Sequence, residues 1–543
     1  MKVSAEKSEI QLTYLYILPA LTLVLSLLTG NYLSAGALLT TGSLLSVIYW
    51  KVNETAEYDQ MFNRKLCLAI VSAMTLIGFW IRLENLGSPS LWYDEAISAI
   101  AVEALLEKGR PILESGKVYW RSLPHLLLSA LSAKILGISD FSLRLPSVIT
   151  GTLIIPITYL TGEKFFEQST GLIATILIAF STWEIVWSRQ VRMYSLLQLL
   201  FLLSILQIYL LEKKTTLKKS IALTITILLA AFTHVTGYIL PVVAILYFFY
   251  ARKDSINLRE ILKILLPAGT VAFVLQIGYF SYSNLFSRLT FSPENIDTYL
   301  SWISSTAPSF LLLGITGVLP SIKENRKAGF LMAVSSLPVL YIYFLHVETA
   351  ASRYLYVVLP FFAIWSGLAL TKVFKSFNPE TKIARLFLIL LLFSTLLGGN
   401  FASGEYNPGL NAPQPDFKSA YRYVQTNRMD EDTVISGWTP PAVHYLDSPP
   451  KYTLVGRYFT VPERSFKGEE QYSGAEFITN QSQLRKIVKE NERGWIVLDE
   501  RAWRGQRDGV KATLQELELK AEFHEIKVWH WDETSLVSEN TSD

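Results

Sequence analysis

The chain has a single cysteine, Cys67, among 543 residues, so neither a disulfide framework nor a cysteine metal site can be built within it. Redox chemistry is therefore not an expected function. Charge is also scarce: Asp, Glu, Lys and Arg make up 17% of the residues and the formal net charge is +3, too small to point to nucleic acid or another polyanionic partner. Neither a Gly-rich phosphate loop nor a dinucleotide fingerprint is present. No internal repeat is found, and the residues expected to face outward offer no convincing metal ligand set. No cofactor is identified from the sequence; a divalent metal is unsupported.

What the chain has in abundance is apolar and aromatic residues, 50% and 13% of the total. That makeup reads as an α-helical polytopic membrane protein. At roughly 20 apolar residues per crossing, about thirteen spans are expected, near 12–30, 34–50, 66–84, 146–161, 171–187, 194–211, 220–233, 237–250, 261–281, 304–319, 328–345, 354–371 and 384–399.

Lys and Arg in short loops stay on the cytoplasmic side. Alternate connections carry LEKKTTLKKS, YARKDSINLRE, SIKENRKAG and TKVFKSFNPETKIAR, which puts those loops and the N-terminus in the cytoplasm. The intervening connections, with THVTG, HVETAASRY and DEAIS among them, face outward. The apolar stretch LPHLLLSALSAKILG, 123–137, would invert every later loop if it spanned the membrane. It reads instead as a helix lying along the outer membrane surface, and 84–144 becomes one large outer loop. The transmembrane domain covers 1–400. A Gly-, Asn- and Pro-rich linker follows at 401–415, then a soluble extracytoplasmic α/β domain at 416–543. There FKSAYRYVQTN and SQLRKIVKENE read as helices, and TVISGW, GWIVLDE and FHEIKVWHW as strands. No secretory leader is evident, and the first apolar segment is expected to be a retained span. The expected setting is the plasma or cytoplasmic membrane.

The stretch SLWYDEAIS places two adjacent carboxylates, Asp94 and Glu95, where the chain leaves the third span. On a helix they point about 100° apart, so only one can aim into a given site. They are equally the start signal of a helix. Other candidates recur on the same side: Arg189, Arg192 and Tyr194 in SRQVRMY, His234 in THVTG, and Arg353 with Tyr354 in SRYLYVVLP. Each alone suits a snorkelling, belt or structural residue. Together they suggest one outward cavity with a carboxylate, cations and a histidine, equipped for an anionic group at a membrane surface. The acidic MDEDT, 429–433, is expected to be a turn rather than a metal-binding DxD. Asn480 and Asn540 begin N-x-S sequons.

LWYDEAISA, then FSLRLPSVITGTLIIPITYLTGEKFF, then AFSTWEIVWSRQVRMYSLL resemble the polyprenyl-phosphate-sugar-dependent glycosyltransferases of the membrane GT-C class. The likeness is to the protein mannosyltransferases and aminoarabinose transferases, family 39-like. It covers 80–194 well and continues more loosely to 360 through His234 and RYLYVVLP. It implies Asp94 as the catalytic carboxylate, Glu95 as its supporting partner, and Arg192 and Arg353 as contacts of the lipid phosphate or acceptor. Arg121 and His125 are further candidates for phosphate, at the start of a surface helix where the family often has HPPL or KP and this chain has SLPHLL. Tyr194, His234 and Tyr354 complete the expected substrate-binding set. The implied partners are membrane lipids, a polyprenyl-phosphate-linked sugar donor and a protein, lipid or glycan acceptor. A pyrophosphate-linked glycan ligase or polymerase, and a lipid or glycan transporter, are the competing readings.

Overall fold

A computed structural model of the chain describes residues 64–251, 291–293, 295–300, 308–346, 351–376, 415–457, 461–533 and 535. The expected spans at 12–30, 34–50, 261–281 and 384–399, nearly all of the linker and the sequon at Asn540 lie outside the described residues.

The apolar part of the chain is helical. In chain order its helices are α1 (Arg64–Leu83), α2 (Tyr93–Lys108), α3 (Leu123–Leu136), α4 (Asp140–Phe165), α5 (Gln168–Phe180), α6 (Thr182–Trp187), α7 (Tyr194–Lys213), α8 (Leu217–Thr233), α9 (Ile239–Ala251), α10 (Pro308–Glu324), α11 (Arg326–Leu345) and α12 (Leu359–Ser376). Among the described residues five helical stretches are long and apolar enough to cross a membrane: Arg64–Leu83, Asp140–Phe165, Tyr194–Lys213, Arg326–Leu345 and Tyr356–Val373. The expected span at 171–187 is two helices, α5 and α6, with Ser181 extended between them.

One compact unit comprises the described residues of 1–84, 147–189 and 193–411. Its helices approach closely where glycine removes the side chain, as small residues allow in membrane bundles. A Cβ on Gly162 of α4 would lie 2.7 Å from the Gly171 Cα of α5, and one on Gly317 of α10 would lie 1.9 Å from the Trp365 carbonyl oxygen of α12. The buried Arg82 of α1 donates to the carbonyls of Gly78, Ala179 and Ile178. A cation at this depth needs such acceptors.

The second unit comprises the described residues of 85–146, 190–192 and 412–543. Its outer-loop part contains α2 and α3. Helix α2 starts after Trp92, with Asp94 and Glu95 in its first turn, and ends at Gly109 in the left-handed conformation. Acidic residues at the positive end of the helix and glycine past its end are both favourable there. Helix α3 carries Pro124 near its start and buries His125, Ser129 and Ala133, while Leu127, Leu131 and Ile135 are exposed. The fourfold spacing puts Leu127, Leu131 and Ile135 on one outward apolar stripe, the pattern of a helix that rests on a membrane surface.

The C-terminal part of the same unit holds α13 (Phe417–Asn427), β1 (Thr433–Ser436), α14 (Thr439–Tyr445), β2 (Tyr452–Leu454), α15 (Val461–Arg464), β3 (Ser465–Phe466), β4 (Glu469–Glu470), β5 (Glu476–Ile478), α16 (Gln481–Glu490), β6 (Gly494–Asp499), α17 (Glu500–Arg504), α18 (Asp508–Glu516), β7 (Glu518–Phe523) and β8 (Ile526–Trp531). Six strands form one sheet in the order β5-β2-β1-β6-β8-β7. The first four run parallel, and β8 is antiparallel to both β6 and β7. Strand β1 is buried throughout, as a central parallel strand covered on both faces must be. MDEDT is a turn in which Asp432 accepts from Met429 N and Trp495 Nε1. Asn480 caps α16 by accepting from Gln483 N.

Candidate active site

The two adjacent carboxylates have different surroundings. Glu95 is 1% exposed and faces Arg144, 2% exposed, in a forked pair: Nε donates to Oε1 at 2.9 Å and Nη2 to Oε2 at 2.7 Å. The remaining guanidinium hydrogens of Arg144 go to the carbonyls of Leu86, Pro89 and Ser90. Glu95 Oε1 also accepts from Val191 N at 2.7 Å. A buried charge survives only with such full pairing. The pair thereby fixes three segments to one another: the turn 86–90, the start of α2, and 190–192.

Asp94 stands one residue earlier and on another side of the helix. Its side chain is 21% exposed, and Arg192 Nη2 lies 3.6 Å from Oδ2. Arg192 is itself buried, and its Nη1 donates to the Asp94 carbonyl at 2.9 Å and to Ser98 Oγ at 3.2 Å. The guanidinium is thus clamped along the first turn of α2 beside the Asp94 carboxylate. Trp92 Nε1 donates to Gln190 Oε1, which steadies the same segment. His125 of α3 is buried, and burial together with the nearby Arg192 charge lowers its pKa to about 3. It carries no positive charge at ordinary pH. Arg121, just before α3, is exposed.

The other expected residues cluster in the membrane unit. The rings of Tyr194 and His234 are 5.8 Å apart. His234 Nδ1 meets Thr236 Oγ1 at 2.9 Å, and that hydroxyl meets Tyr343 Oη at 2.5 Å. Tyr343 stacks on Tyr354 at 4.7 Å, and the Arg353 guanidinium lies 5.3 Å from the Tyr354 ring. The break in the helices at THVTG makes this cluster: His234 is extended, and its side chain accepts from Thr236 N at the start of a short 3-10 turn. Tyr194, His234, Arg353 and Tyr354 are brought together here, while Asp94, Glu95, Arg192 and His125 are brought together in the outer-loop unit. In sequence Arg192 and Tyr194 are two residues apart.

Several residues of this unit were not singled out from the sequence. Arg144 lay within the quoted RLPS, but its partner is 49 residues away, and spacing cannot reveal a pairing at that distance. Tyr93, inside LWYDE, packs against Trp438 and Tyr472 of the C-terminal part at centroid distances of 4.6 and 6.1 Å. His444 of α14 lies 2.6 Å from Glu103 and 3.2 Å from Asp140, and Lys418 lies 2.9 Å from Asp140. No sequence signal pointed to His444, Lys418 or Tyr472. Among the described residues no group of three or more His, Cys, Asp or Glu is placed to hold a metal ion.

A model of the dolichyl-phosphate-mannose-protein mannosyltransferase family matches residues 122–280. No curated protein matches the sequence. The solved structure of ArnT from Cupriavidus metallidurans bound to undecaprenyl phosphate is similar with a TM-score of 0.60 at 12% identity, over 88% of this chain and 99% of that one. The oligosaccharyltransferase AglB from Archaeoglobus fulgidus, in complex with an inhibitory peptide and a dolichol-phosphate, is similar with a TM-score of 0.54 at 12% identity, over 84% of this chain and 73% of that one. The likeness to these structures is one of fold. The resemblance read from the sequence is thereby borne out: the chain has the GT-C fold, and glycosyltransferase, the enzyme class expected of it, is the class of the family that it matches.

Proposed function

We propose that this protein moves a monosaccharide from a polyprenyl phosphate to an acceptor hydroxyl on the outer face of the membrane, with inversion at the anomeric carbon. About thirteen spans, a cytoplasmic N-terminus and an extracytoplasmic C-terminal domain complete the proposal. The carrying observation is the division of labour in the dyad: Glu95 is wholly engaged by Arg144 and Val191 N, whereas Asp94 keeps a partly exposed carboxylate beside Arg192. The polyprenyl phosphates held by ArnT and AglB support a lipid-phosphate donor.

In this reading the acceptor O–H gives its proton to Asp94 as its oxygen bonds to the anomeric carbon. The bond from that carbon to the phosphate oxygen breaks, and its electron pair leaves with the lipid phosphate. Cations stabilise the charge that develops there. Arg353 and the exposed Arg121 take that role, with Tyr194, His234 and Tyr354 contributing polar and aromatic contacts to the donor. Arg192 holds Asp94 in place, its Nη1 donating to the first turn of α2. Glu95 is its buried counterpart and acts by fixing the loop.

The test is transfer from a panel of radiolabelled polyprenyl-phosphate sugars into host acceptors, with membranes carrying the native protein beside Asp94→Asn at matched expression. A positioned base contributes about 10² to 10⁴ in rate, so Asp94→Asn should lose transfer by that much. Full transfer by Asp94→Asn would end the proposal for Asp94. Activity seen only with pyrophosphate-linked donors would favour a glycan ligase or polymerase.

A further inference from the structure

The turn Glu470–Ser473 of the C-terminal part is wound around a buried carboxylate. Glu470 is fully buried, and its Oε2 accepts from Thr439 Oγ1 at 2.6 Å, Tyr472 N at 3.0 Å, Ser473 N at 3.0 Å and Ser473 Oγ at 2.9 Å. Four donors on one oxygen leave the turn little freedom. The outer loop grips the same turn from its hairpin: Ser115 Oγ donates to the Gln471 carbonyl at 2.6 Å, and Lys117 Nζ donates to Gln471 Oε1. Between these anchors the Tyr472 side chain packs against the buried outer-loop cluster that includes Leu91, Ala96 and Leu126. Its ring meets that of Tyr93 at 6.1 Å and 86°, the favourable edge-to-face arrangement. Asp94 and Arg121 both lie within electrostatic reach of the Tyr472 hydroxyl. On its other side Tyr93 is packed on Trp438, over which the Arg464 guanidinium sits at 5.2 Å.

We propose that the Glu470–Ser473 turn is part of the reaction site, with Tyr472 a positioning residue that seats Tyr93 and so aims Asp94. Tyr93 is the first residue of α2 and Asp94 the second, so a shift of the Tyr93 ring turns the start of the helix and moves the carboxylate with it. Small displacements of a catalytic group are costly, with about 1 Å able to lose a hundredfold in rate. The C-terminal domain is then a working part of the transferase and not only a cover. This inference rests on the transfer reading above.

The experiment is steady-state transfer by the full-length protein in membranes, with Tyr472→Phe, Tyr472→Leu, Tyr472→Ala and Asp94→Asn measured side by side. The ring edge does the seating, so Tyr472→Phe should keep kcat within about twofold. Tyr472→Leu and Tyr472→Ala should lower kcat about tenfold with KM for donor and acceptor little changed. Leucine fills most of the site, so the test survives if the alanine variant fails to insert. A Tyr472→Leu variant with native kcat would overturn the proposal, as would a Tyr472→Phe variant with a raised KM, which would make the hydroxyl a substrate contact. If Asp94→Asn is inactive while Tyr472→Leu is native, this inference alone falls; if Asp94→Asn is fully active, the transfer reading falls with it.

Discussion

Two neighbouring carboxylates of similar acidity are given different work by what surrounds them. Glu95 faces a guanidinium whose five N–H donors are all used, two of them on Glu95 itself, whereas Asp94 has the Arg192 guanidinium at 3.6 Å and partial access to solvent. Removing one member of a buried pair strands the other, at a cost of about 3 to 5 kcal/mol. Arg144→Ala should therefore lower the melting temperature of the detergent-purified protein sharply, and Glu95→Ala should do nearly as much. The double variant should lose less than the sum, because the stranded charge is gone. Additive losses in that cycle would show that the two side chains do not act as a pair. At this scale the sequence announced DE and its divergence on a helix, and the motif RLPS contained Arg144. It did not announce which carboxylate would be spent, because that depends on Arg144 meeting Glu95 across 49 residues and on Val191 N meeting the same oxygen.

Helix α14 enters the outer loop as a charged latch. His444 has Glu103 on one ring nitrogen and Asp140 on the other, Lys418 is also on Asp140, and Tyr445 Oη donates to Asp140 Oδ2 at 3.2 Å and accepts from Leu91 N at 2.7 Å. The two carboxylates outweigh the penalty of burial and raise the His444 pKa from 6.5 to about 9. A group whose pKa is higher when folded contributes its full stability below the unfolded value, near 6.5, and loses it as pH rises through about 9. That contribution is on the order of 3 kcal/mol. Protection of the amides of 439–446 against hydrogen exchange, corrected for the intrinsic rise of exchange with pH, should be greatest below about pH 6.5, decline steadily towards pH 9 and level off by pH 10. His444→Gln should be less protected at neutral pH and lack the fall; a native profile in that variant would remove the histidine from the latch. Element identities were largely legible: the helical runs at 194–211 and 328–345, and the strands in TVISGW, GWIVLDE and FHEIKVWHW, all follow from apolar periodicity. The break at Ser181 was not, because 171–187 stays apolar across it and periodicity cannot report one extended residue.

At the scale of the molecule, the described residues of the outer loop 85–146 and of the C-terminal segment 412–543 are one folded unit although 265 residues, 147–411, separate them in the chain. Domain boundaries drawn from composition followed polarity along the chain, and so assigned the loop to the membrane domain and the C-terminal segment to a domain of its own. Composition cannot register a core shared by distant segments. Yet Val443, Tyr445 and Tyr472 pack against the loop's buried cluster, and Tyr93 packs against that of the C-terminal segment. Each part would expose apolar surface that the other covers if the other were absent. A chain ending before residue 412 should still insert, because its apolar helices are intact, but its outer loop should open. In the full-length protein Lys117 is held by Gln471 and only partly exposed, and trypsin added to the outer side should cut slowly there. In the shortened chain cleavage at Lys117 should be rapid, and transfer activity should vanish with it. Slow cleavage and retained activity in the shortened chain would mean that the loop folds alone, and would return the C-terminal segment to the role of a separate domain.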